Sequence, residues 1–294
     1  MLIGKSFSPF TIPLFFRFSY SNDPLESGIV GALANILKGV SCRVEVDYSN
    51  KLNLDFIAGR EQLHLPWVEE AIEMAIKREG IDGLRGVVNY HFEVNYGLDI
   101  SSASATLIST LAALKKALSL KLSPLDLASI SHIIELKYNV GFGCTFSQLI
   151  GGVDLFTSPS VPGKAKYVRV SVPDDLRIII AGKPIHGFPV YNYHNAFQNF
   201  PSDLSSVKSF DDIVSLCRSF NESFTVKSTK LKWIASELSK TNILSYGFGF
   251  SGNIVYALVY RDHMMDVAST LLNIFPTEYI FICEVDPIGV RVYF

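Results

Sequence analysis

The sequence predicts an α+β fold built in two halves. Strand and helix patterns mix along it without the strict strand–helix–strand rhythm of a parallel α/β sheet. A stretch with two prolines and a glycine, Ser158 to Lys164 (SPSVPGK), reads as a linker close to the middle. The 294 residues suffice for one large domain or two of ordinary size. The expected division is therefore 1–157 and 158–294.

The elements follow in order. Val40 to Tyr48 and Leu52 to Ile57 alternate like two strands paired around Asn50. Ile29 to Leu37 is ambiguous between strand and helix. Pro66 to Glu79 reads as a helix, with proline at its start, acids in its first turn, Lys77 and Arg78 in its last and Gly80 as its stop. Leu84 to Tyr96 reads as a strand. An apolar helix then runs to about Leu118, and a second, capped by Ser123, to about Lys137. Beyond the linker come strands at Tyr167 to Val172 and Leu176 to Ala181, and helices near Phe210 to Phe220 and Lys230 to Lys240. A helix capped by Asp262 precedes two last strands, Tyr279 to Val285 and Gly289 to Phe294.

Composition narrows the function classes. Hydrophobic residues are 48% and charged residues 18%, with mean hydropathy +0.27. Such a chain is not disordered, and its low charge fits extensive burial, a homodimer interface included. Net charge −2 and pI about 6.3 give no global field for nucleic acid or anionic lipid. A local phosphate site is compatible with both. Cys42, Cys144, Cys217 and Cys283 are scattered without a CxxC pair, which points away from structural zinc or a disulfide framework and toward a reducing cytoplasm. The apolar N-terminus is broken by Pro9, Pro13 and Arg17, unlike a signal peptide. The uncharged run Thr241 to Tyr260 is long enough for a membrane span but rich in Asn, Ser and Gly. No membrane partner and no nucleic-acid partner is expected.

Three segments carry chemistry. Asn95 to Leu118 leads a strand through Gly97, Asp99, Ser101, Ser102 and Ser104 into an apolar helix. The unpaired amides of a helix start favour phosphate, and serine hydroxyls can join phosphate or magnesium. The alternative is a plain serine N-cap, which Asp99 favours because a carboxylate repels phosphate. In Ser131 to Phe156, His132 and Glu135 stand three apart and so share a helix face. Glu135 reads either as a magnesium partner or as a solvated acid, and His132 as its companion or as a core histidine. In Ser245 to Tyr260, Gly247, Gly249, Ser251 and Gly252 precede an apolar run. That is either a backbone in close approach to something or a tight turn.

Taken together, in this order and spacing, the three segments resemble the GHMP kinase superfamily, which includes galactokinase, homoserine kinase and mevalonate kinase. Gly97 to Ser104 takes the place of the family's PxxxGLGSSAS motif, and Gly247 to Leu258 that of its late glycine-rich motif. Within the superfamily the archaeal pantoate kinases are most similar. Asn22 to Gly28 with Gly31-Ala32 resembles their DPL-x-x-G-x-x-GA segment, and Ser8 to Phe16 their opening segment. SHIIE, GFG, Gln148 and Gly151-Gly152 resemble their AHIAE, GLGD and GG run.

The resemblance implies a two-domain GHMP-kinase-like α+β fold with mixed sheets packed with helices. It also implies ATP with Mg2+ and phosphoryl transfer to the hydroxyl of a small molecule, pantoate in the archaeal enzymes, on the way to coenzyme A. By position, Ser101 and Glu135 would meet magnesium. Gly97, Ser101, Ser102, Ser104, Gly249, Ser251 and Gly252 would line the nucleotide. Thr11, Asp23 and Gly28 would lie toward the acceptor. Ser101, Glu135, Cys144 and Asp99 form the expected catalytic set. Five departures stand out, one of them Pro13 where the family has a glycine. Cys144 replaces the family aspartate, a poor base at an ordinary thiol pKa. Phe10 replaces a histidine, Ile29-Val30 replaces Ser-Arg, and Asp99 replaces the second glycine of GLG. Asp99 and Asp154 are the candidate substitutes for the missing base. Loss of catalysis or a different, less anionic acceptor are the alternatives.

Overall fold

The computed structural model describes residues 1–159, 161–190, 200, 204–225 and 228–293. Ser160 of the expected linker and Phe294 of the expected last strand lie outside the described residues.

In chain order the elements are β1 (Leu2–Ser19), β2 (Gly28–Ser49), β3 (Asn53–Ala58), β4 (Glu61–Leu63), α1 (Pro66–Arg78), β5 (Gly83–Phe92), α2 (Ser102–Leu118), α3 (Pro124–Lys137), α4 (Thr145–Ile150) and β6 (Val153–Phe156). There follow β7 (Tyr167–Val170), β8 (Leu176–Ala181), α5 (Phe210–Thr225), α6 (Thr229–Leu238), β9 (Ser245–Phe248), β10 (Val255–Tyr260), α7 (Met264–Leu272), β11 (Ile280–Cys283) and β12 (Arg291–Tyr293). Among the described residues no helix is long and apolar enough to cross a membrane.

The larger sheet runs β12-β1-β2-β5-β3-β4, with β6 paired to both β2 and β7. Its spine is β2, which absorbs both the ambiguous Ile29–Leu37 stretch and the strand beginning at Val40. The first part of β2 pairs with β6 and the second with β5, while β1 runs antiparallel along nearly all of it. The expected pairing around Asn50 does not form. β5 inserts between β2 and β3 and runs parallel to β3, the crossover passing through α1. Parallel neighbours need such a crossover, because a tight turn joins only antiparallel strands.

α2 lies against β1 and β2 and is buried on nearly every side, as expected of a helix apolar all round. Its buried threonines satisfy their hydroxyls on the preceding turn: Thr106 donates to the Ser102 carbonyl (2.8 Å) and Thr110 to that of Thr106 (2.7 Å). α3 begins at the predicted Ser123 with a full capping box through Asp126. α7 does not begin as predicted. A 3-10 turn takes Arg261–His263, and His263, without a side-chain cap, precedes Met264.

The smaller sheet is antiparallel, β11-β8-β10-β9. One face packs Ile179, Val255 and Ala257 against α6 and α7. The other sends Ile178, Tyr256 and Leu258 into the main core with α5. Tyr256 donates its hydroxyl to the Pro13 carbonyl of β1 (2.6 Å). The uncharged Thr241 to Tyr260 run thus contains the β9–β10 hairpin.

Candidate active site

The loop after β5 ends at Ser101, which stands in the left-handed region (φ 56°, ψ 37°) at the cap of α2 and makes no side-chain capping bond. A residue other than glycine held there carries strain of roughly 1 kcal/mol or more, and such residues cluster at functional sites. Gln148 fixes it by donating from Nε2 to the Ser101 carbonyl (3.1 Å). The first turn of α2 contains no acid, so its free amides face no built-in repulsion from that turn.

Glu135 is fully buried on α3. One carboxylate oxygen accepts from the Thr145 hydroxyl (2.6 Å) and amide (3.3 Å), and the other from the Ser104 hydroxyl. A Cβ at Gly141 would strike that second oxygen. Ser104, Glu135 and Thr145 thus lock α2, α3 and α4 together beside the start of α2. Cys144 is also fully buried and shares a hydrogen bond with the Ser101 side chain. Burial, followed by the charge of Glu135, pushes its thiol far above the ordinary range. It is therefore a neutral thiol at neutral pH and a poor base.

Asp99 does not face this cluster as a spare acid. Its Oδ2 accepts from the amide (2.6 Å) and hydroxyl (2.7 Å) of Ser251. A Cβ at Gly249 would collide with the same oxygen, so glycine there permits the close approach. Ser102 donates to the Tyr96 carbonyl (2.5 Å), and Gly97 lies under the backbone of Ile185, whose amide donates to the Gly97 carbonyl (3.1 Å).

The residues expected near the acceptor, Thr11, Asp23 and Gly28, are held as follows. Thr11 is buried and donates its hydroxyl to Asn35 (2.7 Å), touching the loop only through its amide on the Ile100 carbonyl (3.1 Å). Asp23 is exposed and caps its own 3-10 turn. Gly28 opens β2. His132 and Glu135 share a buried helix face but have different partners. His132 Nε2 lies 3.0 Å from the carbonyls of both Pro24 and Ser27, so that nitrogen carries the proton and pins the Asp23–Gly28 turn. Phe10, Ile29 and Val30 are buried core residues. Asp154, on β6, is buried and held by Arg169 (2.6 Å).

Thr145 and Asn35 were missed by sequence reasoning. Thr145 carries no spacing signal. Asn35 did carry one, as a lone amide within the apolar run GIVGALANIL, and it cross-links Thr11, Ser147 and Gly152.

No protein-family model matches the chain. It is similar to the pantoate kinase of Methanospirillum hungatei (28% identical over 157 residues), a match spanning about half the length of each chain, 52% of both. It is also similar to the pantoate kinases of Thermococcus kodakarensis (24% identity, 93% of this chain and 92% of that protein) and Methanocaldococcus jannaschii (22%, 91% and 97%). Among solved structures it superposes on a phosphotransferase related to the coenzyme A biosynthesis pathway, with TM-score 0.81 at 20% identity, covering 100% of this chain and 99% of the other. It also superposes on mevalonate diphosphate decarboxylase from Staphylococcus aureus (0.75 at 14%, 100% and 98%) and homoserine kinase from Cytophaga hutchinsonii (0.68 at 15%, 100% and 98%). The chain thus has the GHMP-kinase fold and is similar to pantoate kinases, along nearly its whole length for two of the three.

Proposed function

We propose that this chain is a cytoplasmic, magnesium- and ATP-dependent kinase that phosphorylates the hydroxyl of a small acid, with pantoate as the first candidate and 4-phosphopantoate as its product. The observation that carries the proposal is the Ser104–Glu135–Thr145 cluster beside Ser101 at the start of α2, found in a chain similar to pantoate kinases. The residues present fit the ligands. Ser101 and Glu135 offer hard oxygen donors, and magnesium in kinases is commonly held by one or two carboxylates together with substrate phosphates. Among the described residues there is no cluster of three or more His, Cys, Asp or Glu that could hold a metal without such help. The acid-free first turn of α2 suits phosphate.

Bound MgATP supplies the transferable phosphoryl group and neutralises its charge. The chain supplies position. The amides of α2 take the anion, while Ser104 and Thr145 hold Glu135 in one orientation. Cys144 contributes shape rather than proton transfer. Phosphoryl transfer through a loose transition state depends mainly on positioning and charge, so slow turnover without a strong base is chemically reasonable. The division into 1–157 and 158–294 and a homodimer are part of the same proposal.

The test is ADP release by the purified chain with MgATP, with and without pantoate. Pantoate-dependent release supports the proposal; absence of nucleotide binding at millimolar ATP refutes it. A second reading, ligand binding without turnover, is favoured by Cys144 and by the Asp99–Ser251 contact. It predicts nucleotide binding with no ADP release for any acceptor.

A further inference from the structure

The smaller sheet ends in a cavity of about 540 Å³, within the range of about 300–1,000 Å³ usual for small-molecule sites. Four segments enclose it: Lys183 after β8, residues 228–234 at the start of α6, the β9–β10 turn, and residues 274–279 after α7. Ser101, Ser104 and Glu135 are not among its lining residues. Ser251 is, but its amide and hydroxyl are engaged by Asp99. The cavity therefore adjoins the cluster at the start of α2 without containing it, and shares Ser251 and Gly252 with the residues expected to line the nucleotide.

Its chemistry has two parts. Among the described residues, Lys183 and Lys230 are the only charged residues that line it, and no carboxylate does. Neither lysine forms an ion pair among the described residues; Lys230 stands 6.0 Å from the Phe275 ring centre. Leu231, Ile274 and Phe275 make a partly exposed apolar floor, backed by the buried Ile234, Phe248 and Val255. Inorganic phosphate would meet the ammonium groups but leave that floor wet. A neutral apolar molecule would cover the floor but leave two cations unmatched beside it.

We propose that this cavity is a second ligand site, for an organic anion that joins a phosphate, carboxylate or sulfonate to an apolar body. The anionic group sits between Lys183 and Lys230, and the body lies over Leu231, Ile274 and Phe275. The wall of the site touches the loop before α2 through Ser251, and the segment that leaves Lys183 touches it again. Ser251 holds Asp99, and Ile185, two residues past Lys183, holds Gly97. An occupant is thereby placed next to the loop without entering it. The site does not depend on the kinase reading.

The test uses the full chain and two fluorescent probes of nearly equal shape: the anionic anilinonaphthalene sulfonate and the uncharged phenylnaphthylamine. The expected result is saturable binding with about tenfold preference for the anion, as two partly solvated charges at close range would give. The preference should shrink in high salt. It should fall about threefold in Lys183→Gln or Lys230→Gln and vanish in the double variant, while apolar binding persists. A control Lys121→Gln/Lys166→Gln variant, away from the cavity, should keep it. Absence of saturable binding, or an anion preference unchanged in the double cavity variant, overturns the proposal. The substituted lysines are exposed, so an unchanged melting temperature should accompany every variant.

Discussion

Asp99 and Ser251, 152 positions apart in sequence, are joined by two hydrogen bonds to one carboxylate oxygen, at 2.6 and 2.7 Å. This contact closes the loop before α2 onto the glycine-rich turn between β9 and β10. It also gives a purpose to an acid that stands where the related kinases carry glycine.

Asp99→Ala should therefore cost about 2 kcal/mol, because a charge-assisted bond is lost and the Ser251 amide loses its acceptor. Ser251→Ala, which removes only the hydroxyl, should cost about 1 kcal/mol. Chemical denaturation of both single variants and the double variant checks this. The two effects should be clearly non-additive, and additive effects would show that the pair is not coupled.

Glu135→Gln retains the shape of the side chain and removes its charge. For a kinase that uses Glu135 toward magnesium, activity should fall at least about a hundredfold, or roughly 2.7 kcal/mol in transition-state stabilisation. Steady-state kinetics beside a melting curve separates this from unfolding. A folded variant with near-normal turnover would remove Glu135 from the catalytic set.

Cys144→Ser should leave kcat within about fivefold, because a neutral buried thiol cannot supply the hundredfold or more that a general base contributes. The remaining cysteines fit the same picture. All four are free and buried. Burial raises Cys42 to about 12 and also pushes Cys217 and Cys283 up. A thiol reagent at pH 8 should modify almost none in the native protein and all four after denaturation.

Asp154 sets a pH dependence. Burial lifts its carboxyl to about 6, although Arg169 pulls the other way. The folded value lies above the unfolded one of 3.8. The associated stability is thus fully present below about pH 4 and is lost as pH rises through 6. The loss amounts to about 3 kcal/mol. Urea titrations from pH 4 to 7 should show it as a difference between wild type and Asp154→Asn, with the variant free of this slope. Equal slopes would place the carboxyl at an ordinary value.

Much of the fold was legible because local signals agreed with tertiary ones. Pro66, Gly80 and Ser123 marked helix ends that packing did not move. The strand order was not legible: nothing in Asn50 or its neighbours shows that β5 slips between β2 and β3, since that depends on where α1 carries the chain. Asp262 lost its cap to a 3-10 turn. In the site, serine spacing and Glu135 pointed to residues that do gather at the start of α2. The engagement of Asp99 by Ser251 was hidden because the partners meet only after the second half of the chain folds back. His132 was legible as a buried helix residue, but its grip on Pro24 and Ser27 was not.

The most direct measurement of the central claim is detection of phosphorylated pantoate after incubating the purified chain with MgATP and pantoate, beside the Glu135→Gln variant. The account predicts a phosphorylated product and matching ADP from the wild type, reduced at least about a hundredfold in the variant. Undiminished product from Glu135→Gln, or no product from a wild type that also fails to bind ATP, would contradict it.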